Sequence, residues 1–507
     1  MTHVSREESP HGRHLGVTDV IMMIVQRIIG SGIFAVPSMI YKDVGGSPAL
    51  FFLVWIIAGY SSYAGLMCYA ELGSVIPRSG GLKAFLPVIY HKPYMMINVV
   101  YGTYILVFGS IVSNVIIFGE YFLSALGYSQ GEFTKQHYKT VGIVFLGGLC
   151  LMLLIHTRFV VKLQTIMGIV KITLISSVSL IGIFVLVLPS NEPKFTNNIH
   201  TSDFFTIKTQ ITIASFISAV MKAIFSCNGW QSIYNVLDEI KDPVRTMKIA
   251  APSSIFLIQL CFFLINLTYL IIIPSDELLE TDKLVGLVLF EKLFGNSLGR
   301  VILSSLIAFS VAGNITTGIY HSSRVNQEIF KEGFLPFSRT LVKNYPFKSS
   351  PGSLLLPLLI TASFLFVPTT SSIFSYVINL DGYPSRFFFG LASYGILVLR
   401  RRKPDVVPGI KASNWEIGFI ISLSTFMVLG PLLKPDNSQF PGLPNYTYVS
   451  LCLLGVCTLY WFFMFKIGPK LFHYELSEKH ETLNDGMVIT TWEKLKDTIP
   501  GTSYGSV

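Results

Sequence analysis

Twelve apolar stretches, candidates to cross a bilayer, most limit the folds open to this chain. A spanning helix needs about 20 mostly apolar residues. The stretches run approximately over 17–41, 47–75, 94–124, 139–157, 163–189, 212–238, 247–273, 298–325, 353–368, 371–399, 415–433 and 446–467. In hydrocarbon no water satisfies backbone N–H and C=O groups, so a spanning segment must pair them internally. The expected fold is an all-α polytopic membrane protein with 12 transmembrane helices. The stretch at 353–368 is the shortest, and Pro368-Thr369-Thr370 divides it from the next. Composition agrees: 51% of the 507 residues are hydrophobic and 13% are charged, against about 25% charged in soluble domains.

Basic residues set the expected orientation. Alternate loops, starting from the N-terminal tail, carry Arg6 and Arg13, then Arg78, Lys83 and Lys92, then Arg158 and Lys162, then Lys241, Arg245 and Lys248. Arg324, Lys331, Arg339, Lys343 and Lys348 follow, then Arg400, Arg401, Arg402, Lys403 and Lys411. The opposite loops are sparse or acidic, as at Asp276, Glu277, Glu280 and Asp282. Basic loops stay cytoplasmic, so both termini are expected inside the cell. The net charge of +9 is spread over these loops. It suits the anionic inner leaflet of a lipid bilayer, and with no dense basic tract no nucleic acid partner is expected. The six cysteines all fall in apolar stretches without a CxxC pair or a Cys/His cluster. Neither a disulfide frame nor a metal site is expected, and no cofactor or cleavable signal peptide.

The expected organisation is a cytoplasmic tail at 1–16, a transmembrane body at 17–467 and a second cytoplasmic tail at 468–507. Neither tail is expected to form a separate domain. The body divides into blocks of about 17–190 and 212–400, with further helices over about 415–467. A glycosylation sequon at Asn445-Tyr446-Thr447 lies close to the last span, and the unmodified reading is favoured.

Two spans break the rule of unbroken helices. The first contains Ile28-Ile29-Gly30-Ser31-Gly32-Ile33-Phe34, and the sixth contains Phe225-Ser226-Cys227-Asn228-Gly229-Trp230. Each glycine costs a helix interior about 1 kcal/mol against Ala. These spans open the two five-helix blocks, and matched interruptions in two halves point to a binding site. The half-helix starting near Ile33 presents free N–H groups, which attract a carboxylate. The half-helix ending near Phe225 and Ser226 presents free carbonyls, which suit an ammonium group. The pair fits an amino-acid backbone. Alternatively, Gly30 and Gly32 allow close helix packing.

The first break, with Arg27 before it and Pro37 after it, resembles the first helix of the amino acid–polyamine–organocation superfamily. Tyr69-Ala70-Glu71-Leu72-Gly73 and Ile76-Pro77-Arg78-Ser79-Gly80-Gly81 resemble its second helix and the loop that follows. Asn228-Gly229-Trp230, Asp238-Glu239, Asp242-Pro243-Val244-Arg245, Ser322-Ser323-Arg324, Glu332-Gly333-Phe334-Leu335-Pro336 and Arg401-Arg402-Lys403-Pro404 look like its L-type amino acid transporter branch. Arg27 and the stretch at 77–83 are most like the fungal methionine permeases in that branch. The resemblance implies a LeuT-like 5+5 inverted repeat plus two C-terminal helices. It implies carboxylate contacts from Ser31, Gly32 and Ile33, and ammonium contacts from the carbonyls of Ile28, Ile29, Phe225 and Ser226. Phe225 matches the aromatic gate over the substrate, and Trp230 packs beneath the break.

Side-chain selectivity candidates, placed by helix position, are Ser110, Asn114, Cys227, Asn228, Asn314 and Ser385. None is acidic, which disfavours lysine and arginine as substrates. Ionisable residues at membrane depth default to functional hypotheses. Lys171 matches the lysine that replaces a sodium ion in sodium-independent relatives, tying the first helix to the eighth. It is read either as a proton coupler or as a permanent structural cation. Asp381, across Pro384 from Arg386, is read either as a proton carrier or as half of a local ion pair. Arg27 and Lys222 are further cations without assigned partners. The expected function is secondary active uptake of a neutral L-amino acid, most of all methionine, by alternating access with proton coupling at the plasma membrane. The alternatives are a sensor of the same fold, or an exchanger of other large neutral amino acids. Animal L-type transporters join a single-span glycoprotein through a cysteine between helices three and four. Residues 125–138 contain no cysteine, so no disulfide-linked heavy chain is expected. The histidines are scattered, with only His156 and His321 near span ends, and no phosphate-binding loop is present. An enzyme or an ATP-driven pump is therefore disfavoured.

Overall fold

The computed structural model describes residues 12–108, 112–128, 135–187, 197–198, 203–281, 284–347, 349–363, 371–433, 443–483 and 485–496. The first expected span is three helices rather than one: α1 (Val17–Ile28), α2 (Gly32–Ala35) and α3 (Pro37–Asp43). The Asp19 carboxylate accepts the Gly16 N–H at 3.0 Å and starts α1, where its charge also complements the helix dipole. Ile29 is extended (φ −75°, ψ 100°) and ends it. Pro37 opens α3, where its missing N–H costs nothing.

Next come α4 (Pro48–Val75), α5 (Leu82–Ile89), α6 (Met96–Phe108), α7 (Val112–Ala125) and α8 (Lys135–Val187). His156 (φ −139°, ψ 65°) interrupts α8 at the end of the expected span 139–157, before the span expected at 163–189. The second block opens with α9 (Ile213–Ser226), whose N-cap Thr212 hydroxyl accepts the Ser215 N–H at 3.0 Å. Beyond Gly229 the chain winds more tightly, as 3-10 turns over Trp230–Glu239. Then follow α10 (Pro243–Ile272), α11 (Ser275–Glu280), α12 (Val285–Phe294), α13 (Asn296–Lys331), α14 (Ser338–Leu341), α15 (Pro351–Ser363), α16 (Ser371–Arg402), α17 (Asn414–Leu433), α18 (Tyr446–Phe462) and α19 (Gly468–Leu471). The division at Pro368-Thr369-Thr370 lies outside the described residues.

Among the described residues, seven helices are long and apolar enough to cross a membrane. The first and sixth expected spans are absent from that set because they are broken. The body is the helical, polytopic membrane architecture expected. Helix α1 packs on α8, α10 and α13, and the one large core runs through all four.

The all-α expectation needs one correction. β1 (Tyr474–Thr482) pairs antiparallel with β2 (Val488–Lys496), from Tyr474↔Lys496 to Thr482↔Val488. Asp485-Gly486, with Gly486 at φ +81°, carries a hairpin-turn signal. The hairpin is held by the chain after α13. Met487 and Ile489 bury against Phe330 and Val342, and Trp492 Nε1 donates to the Glu332 carbonyl at 2.9 Å. Gly333 (φ +68°) allows this approach, because a Cβ there would lie 1.9 Å from the Thr490 oxygen.

A candidate substrate site between two helix breaks

The two breaks meet. A Cβ on Gly32 would lie 3.0 Å from Ser226 Oγ, and one on Gly229 would lie 2.8 Å from the Arg27 carbonyl oxygen. Gly229 also has φ +120°, a value that glycine reaches readily and L-residues rarely do. The breaks therefore cross, residue 32 against 226 and residue 27 against 229.

The backbone at this crossing is under-bonded. No protein group accepts the N–H of Ser31, Gly32 or Ile33 among the described residues, and none donates to the carbonyls of Ile28 or Ser226. Unpaired backbone groups away from water demand a partner. The donors sit at a helix start, which favours an anion, and the Ser226 carbonyl sits at a helix end, which favours a cation. Two of the expected ammonium contacts are already in use. The Ile29 carbonyl accepts both Lys171 Nζ at 2.7 Å and Ser310 Oγ at 3.1 Å, which fills its two lone pairs. The Phe225 carbonyl accepts the Asn228 N–H at 3.2 Å.

An accessible space opens here. Gly30, Ser31, Gly32, Asn228 and Gly229 are partly exposed, although Ile28, Ile29, Ile33 and Cys227 beside them are buried. Phe225 stands 57% exposed at its margin. Trp230 is buried on the far side of the break, edge-on to Tyr69 at 5.3 Å and near Phe389 at 5.5 Å. Gly65 makes room for it, since a Cβ there would lie 2.3 Å from the indole.

The remaining candidates divide. Asn314 lies beside the first break, with Nδ2 3.7 Å from where a Gly30 Cβ would be, and it accepts from Asn114 at 3.4 Å. The Ser385 hydroxyl pairs with Tyr104 at 3.0 Å. Cys227 points away, its thiol accepting from Gln259 at 3.5 Å and its carbonyl from Ser62 at 2.8 Å. Ser110 and the Asp381 side chain lie outside the described residues. The Lys171 ammonium donates to the carbonyls of Ile29 (2.7 Å), Ser310 (3.0 Å) and Gln26 (3.4 Å), joining α1 to α13. Lys222 finds Asp43 at 2.6 Å. The side-chain amide of Asn445 caps α18 by accepting the Thr447 N–H at 2.9 Å.

Sequence reasoning missed a buried polar cluster that ties the chain after the second break to α13. Glu239 accepts from Arg324 Nε at 2.5 Å and from the Tyr320 hydroxyl at 2.7 Å, all three buried. Leu15 bridges to Ile240, and Asp238 accepts the Ser79 N–H at 3.0 Å. Lys83 meets Glu332 at 2.7 Å. Asp-Glu and Ser-Ser-Arg stood in the sequence only as family motifs. Their pairing across about 85 positions is a tertiary fact.

A helical polytopic protein with unpaired backbone polarity where two broken helices cross is built as a membrane permease. The chain belongs to the amino acid permease family, whose model matches residues 15–457. It is 35% identical over 489 residues to the low-affinity methionine permease of Saccharomyces cerevisiae, covering 96% of this chain and 89% of that protein. It is 27% identical to that organism's high-affinity methionine permease, over 94% and 83% of the two chains. It is also 27% identical to the human large neutral amino acids transporter small subunit 2, over 79% and 72%. These relatives are permeases and transporters, not enzymes.

Proposed function

We propose that this chain takes up a neutral L-amino acid, methionine above all, by alternating access coupled to protons. The observation that carries the reading is the crossing of the two breaks. The N–H groups of Ser31, Gly32 and Ile33 and the carbonyls of Ile28 and Ser226 are unbonded among the described residues, beside the partly exposed Gly30, Ser31, Gly32, Asn228 and Gly229. An amino acid's carboxylate and ammonium would satisfy both sets at once. The two methionine permeases among the relatives support the choice of substrate.

In this reading the chain has twelve spans in a LeuT-like inverted repeat, α1–α8 and α9–α16, followed by α17 and α18. Both termini are cytoplasmic and the bilayer is the plasma membrane. The Glu239 end is then the inner end, closed by Arg324, Tyr320 and the Leu15–Ile240 bridge. Phe225, uncovered, waits on the outer side to close over the substrate as the gate. Inward opening breaks the Glu239 cluster. Lys171, bound to three carbonyls, and Asp381 are the candidates for moving or sensing the proton. The transporter works without a disulfide-linked heavy chain.

The test is uptake of labelled methionine by the purified chain in proteoliposomes, challenged with each amino acid in turn. Methionine and other neutral side chains should compete best. Best competition by lysine or glutamate overturns the substrate reading. Equal accumulation with and without an inward proton gradient overturns the coupling.

A further inference from the structure

The sequence left two cations beside the breaks without assigned partners. Arg27 Nη1 donates to Asn314 Oδ1. Lys222 reaches Asp43, Nζ to Oδ2 at 2.6 Å, and the transport reading gives that ion pair no task. Lys222 lies one turn before the end of α9, and Asp43 is the last residue of α3. Their side chains are 34% and 21% exposed, so water and salt screen the pair only in part.

The pair closes a frame beside the site. The Lys222 carbonyl accepts Ser226 Oγ at 3.1 Å. Ser226 Oγ in turn lies 3.0 Å from where a Gly32 Cβ would be. From Gly32 the backbone bonds run on through α2 and α3. The Val36 N–H donates to Gly32 at 2.9 Å, Ile40 to Val36 at 3.0 Å and Val44 to Ile40 at 3.0 Å. That rod carries Asp43, and the ion pair returns to Lys222. At the Gly32–Ser226 corner the chains touch without a hydrogen bond among the described residues. A further tie lies beyond α3, where the Gly45 carbonyl accepts the Lys208 and Thr209 N–H groups at 2.8 and 3.2 Å. It holds the chain before α9 rather than α9 itself.

We propose that Lys222 and Asp43 are positioning residues. They set the distance from the unbonded N–H groups of Ser31, Gly32 and Ile33 to the unbonded Ser226 carbonyl. One amino acid gains from gripping both sets only if they stand at the spacing of its carboxylate and ammonium. Without the ion pair each set still binds its own group, but the two no longer act together. The inference rests on the transport reading and adds to it residues that touch no substrate.

The test is displacement of labelled methionine from the purified full chain by three competitors. They are methionine, methylthiopropylamine, which lacks the carboxylate, and methylthiobutyrate, which lacks the amine. Asp43→Asn and Lys222→Gln cut the pair, and each stands in should the other fail to fold. Asp43→Lys combined with Lys222→Asp rebuilds it in reverse. Methionine affinity is expected to fall roughly tenfold in each single variant, between the effects of exposed and buried pairs. The two analogues should keep nearly their wild-type affinities, and the exchanged pair should recover most of the loss. Unchanged methionine affinity in a folded single variant overturns the proposal. So does an equal loss for methionine and both analogues, which marks a merely structural tie. So does an exchanged pair that melts as the wild type does yet binds no better than the single variants. Where both single variants fail to fold, or an analogue binds too weakly to displace, the exchanged pair decides. A wild type that binds no neutral amino acid overturns the transport reading, and this inference with it.

Discussion

Replacing Gly229 by alanine tests the crossing most directly. Gly229 holds φ +120°, and an L-residue forced into a sparsely populated region costs of order 1–3 kcal/mol. The new methyl would also lie 2.8 Å from the Arg27 carbonyl oxygen and 3.0 Å from Arg27 Cγ. The first neighbour is backbone, and α1 is packed on α8, α10 and α13. It cannot step aside without moving the Arg27–Asn314 pair. Overpacking of this kind adds about 1–3 kcal/mol. Strain and clash together put the cost at about 2–6 kcal/mol. If the breaks must meet to bind, that energy appears as a roughly 30- to 20,000-fold loss of affinity. The assay is equilibrium binding of labelled methionine to the detergent-purified variant, with its melting temperature read alongside. Gly418→Ala on α17 is the control, because nothing lies within 4 Å of its Cβ position. Wild-type affinity and melting temperature in Gly229→Ala would show that the crossing is not the site.

Other perturbations read different parts of the molecule. Lys171→Ala leaves the Ile29, Ser310 and Gln26 carbonyls without their shared donor. Ile29 keeps Ser310 Oγ and Ser310 keeps its bond within α13, so the Gln26 carbonyl is the group left unmet. At about 1–3 kcal/mol for that buried group, the variant should lose methionine uptake and melt at a lower temperature. Glu239→Gln breaks a buried ion pair at about 3–5 kcal/mol. It should favour opening at that end, read as faster thiol labelling of a cysteine placed at Ser79. Gly333→Ala drives a methyl into the Thr490 carbonyl. It should release the β1–β2 hairpin, read as new protease cleavage within residues 474–496 while methionine binding persists.

The apolar spans were legible because the bilayer imposes one length and one composition on any helix that crosses it. The two breaks were legible for the same reason: glycines around a serine, or an Asn-Gly pair, stand out in a segment that must otherwise be unbroken. The hairpin announced itself only at Asp485-Gly486, and its strands carry Glu, Lys and Thr without an apolar face strong enough to declare a partner. The 3-10 winding after Gly229 had no local signal.

Polarity at the site followed from helix direction alone, so the sequence determined that one break seeks an anion and the other a cation. Which carbonyls stay free was decided by the fold. Ile29 and Ile28 are neighbours in sequence, yet Lys171 and Ser310 reach only Ile29, from helices that lie about 140 and 280 residues away. The partners of Arg27, Lys222 and Glu239 were likewise unreadable. A charge buried in a bundle takes whatever group packing brings within 3 Å or so, and that proximity is a property of crossing helices, not of spacing along the chain.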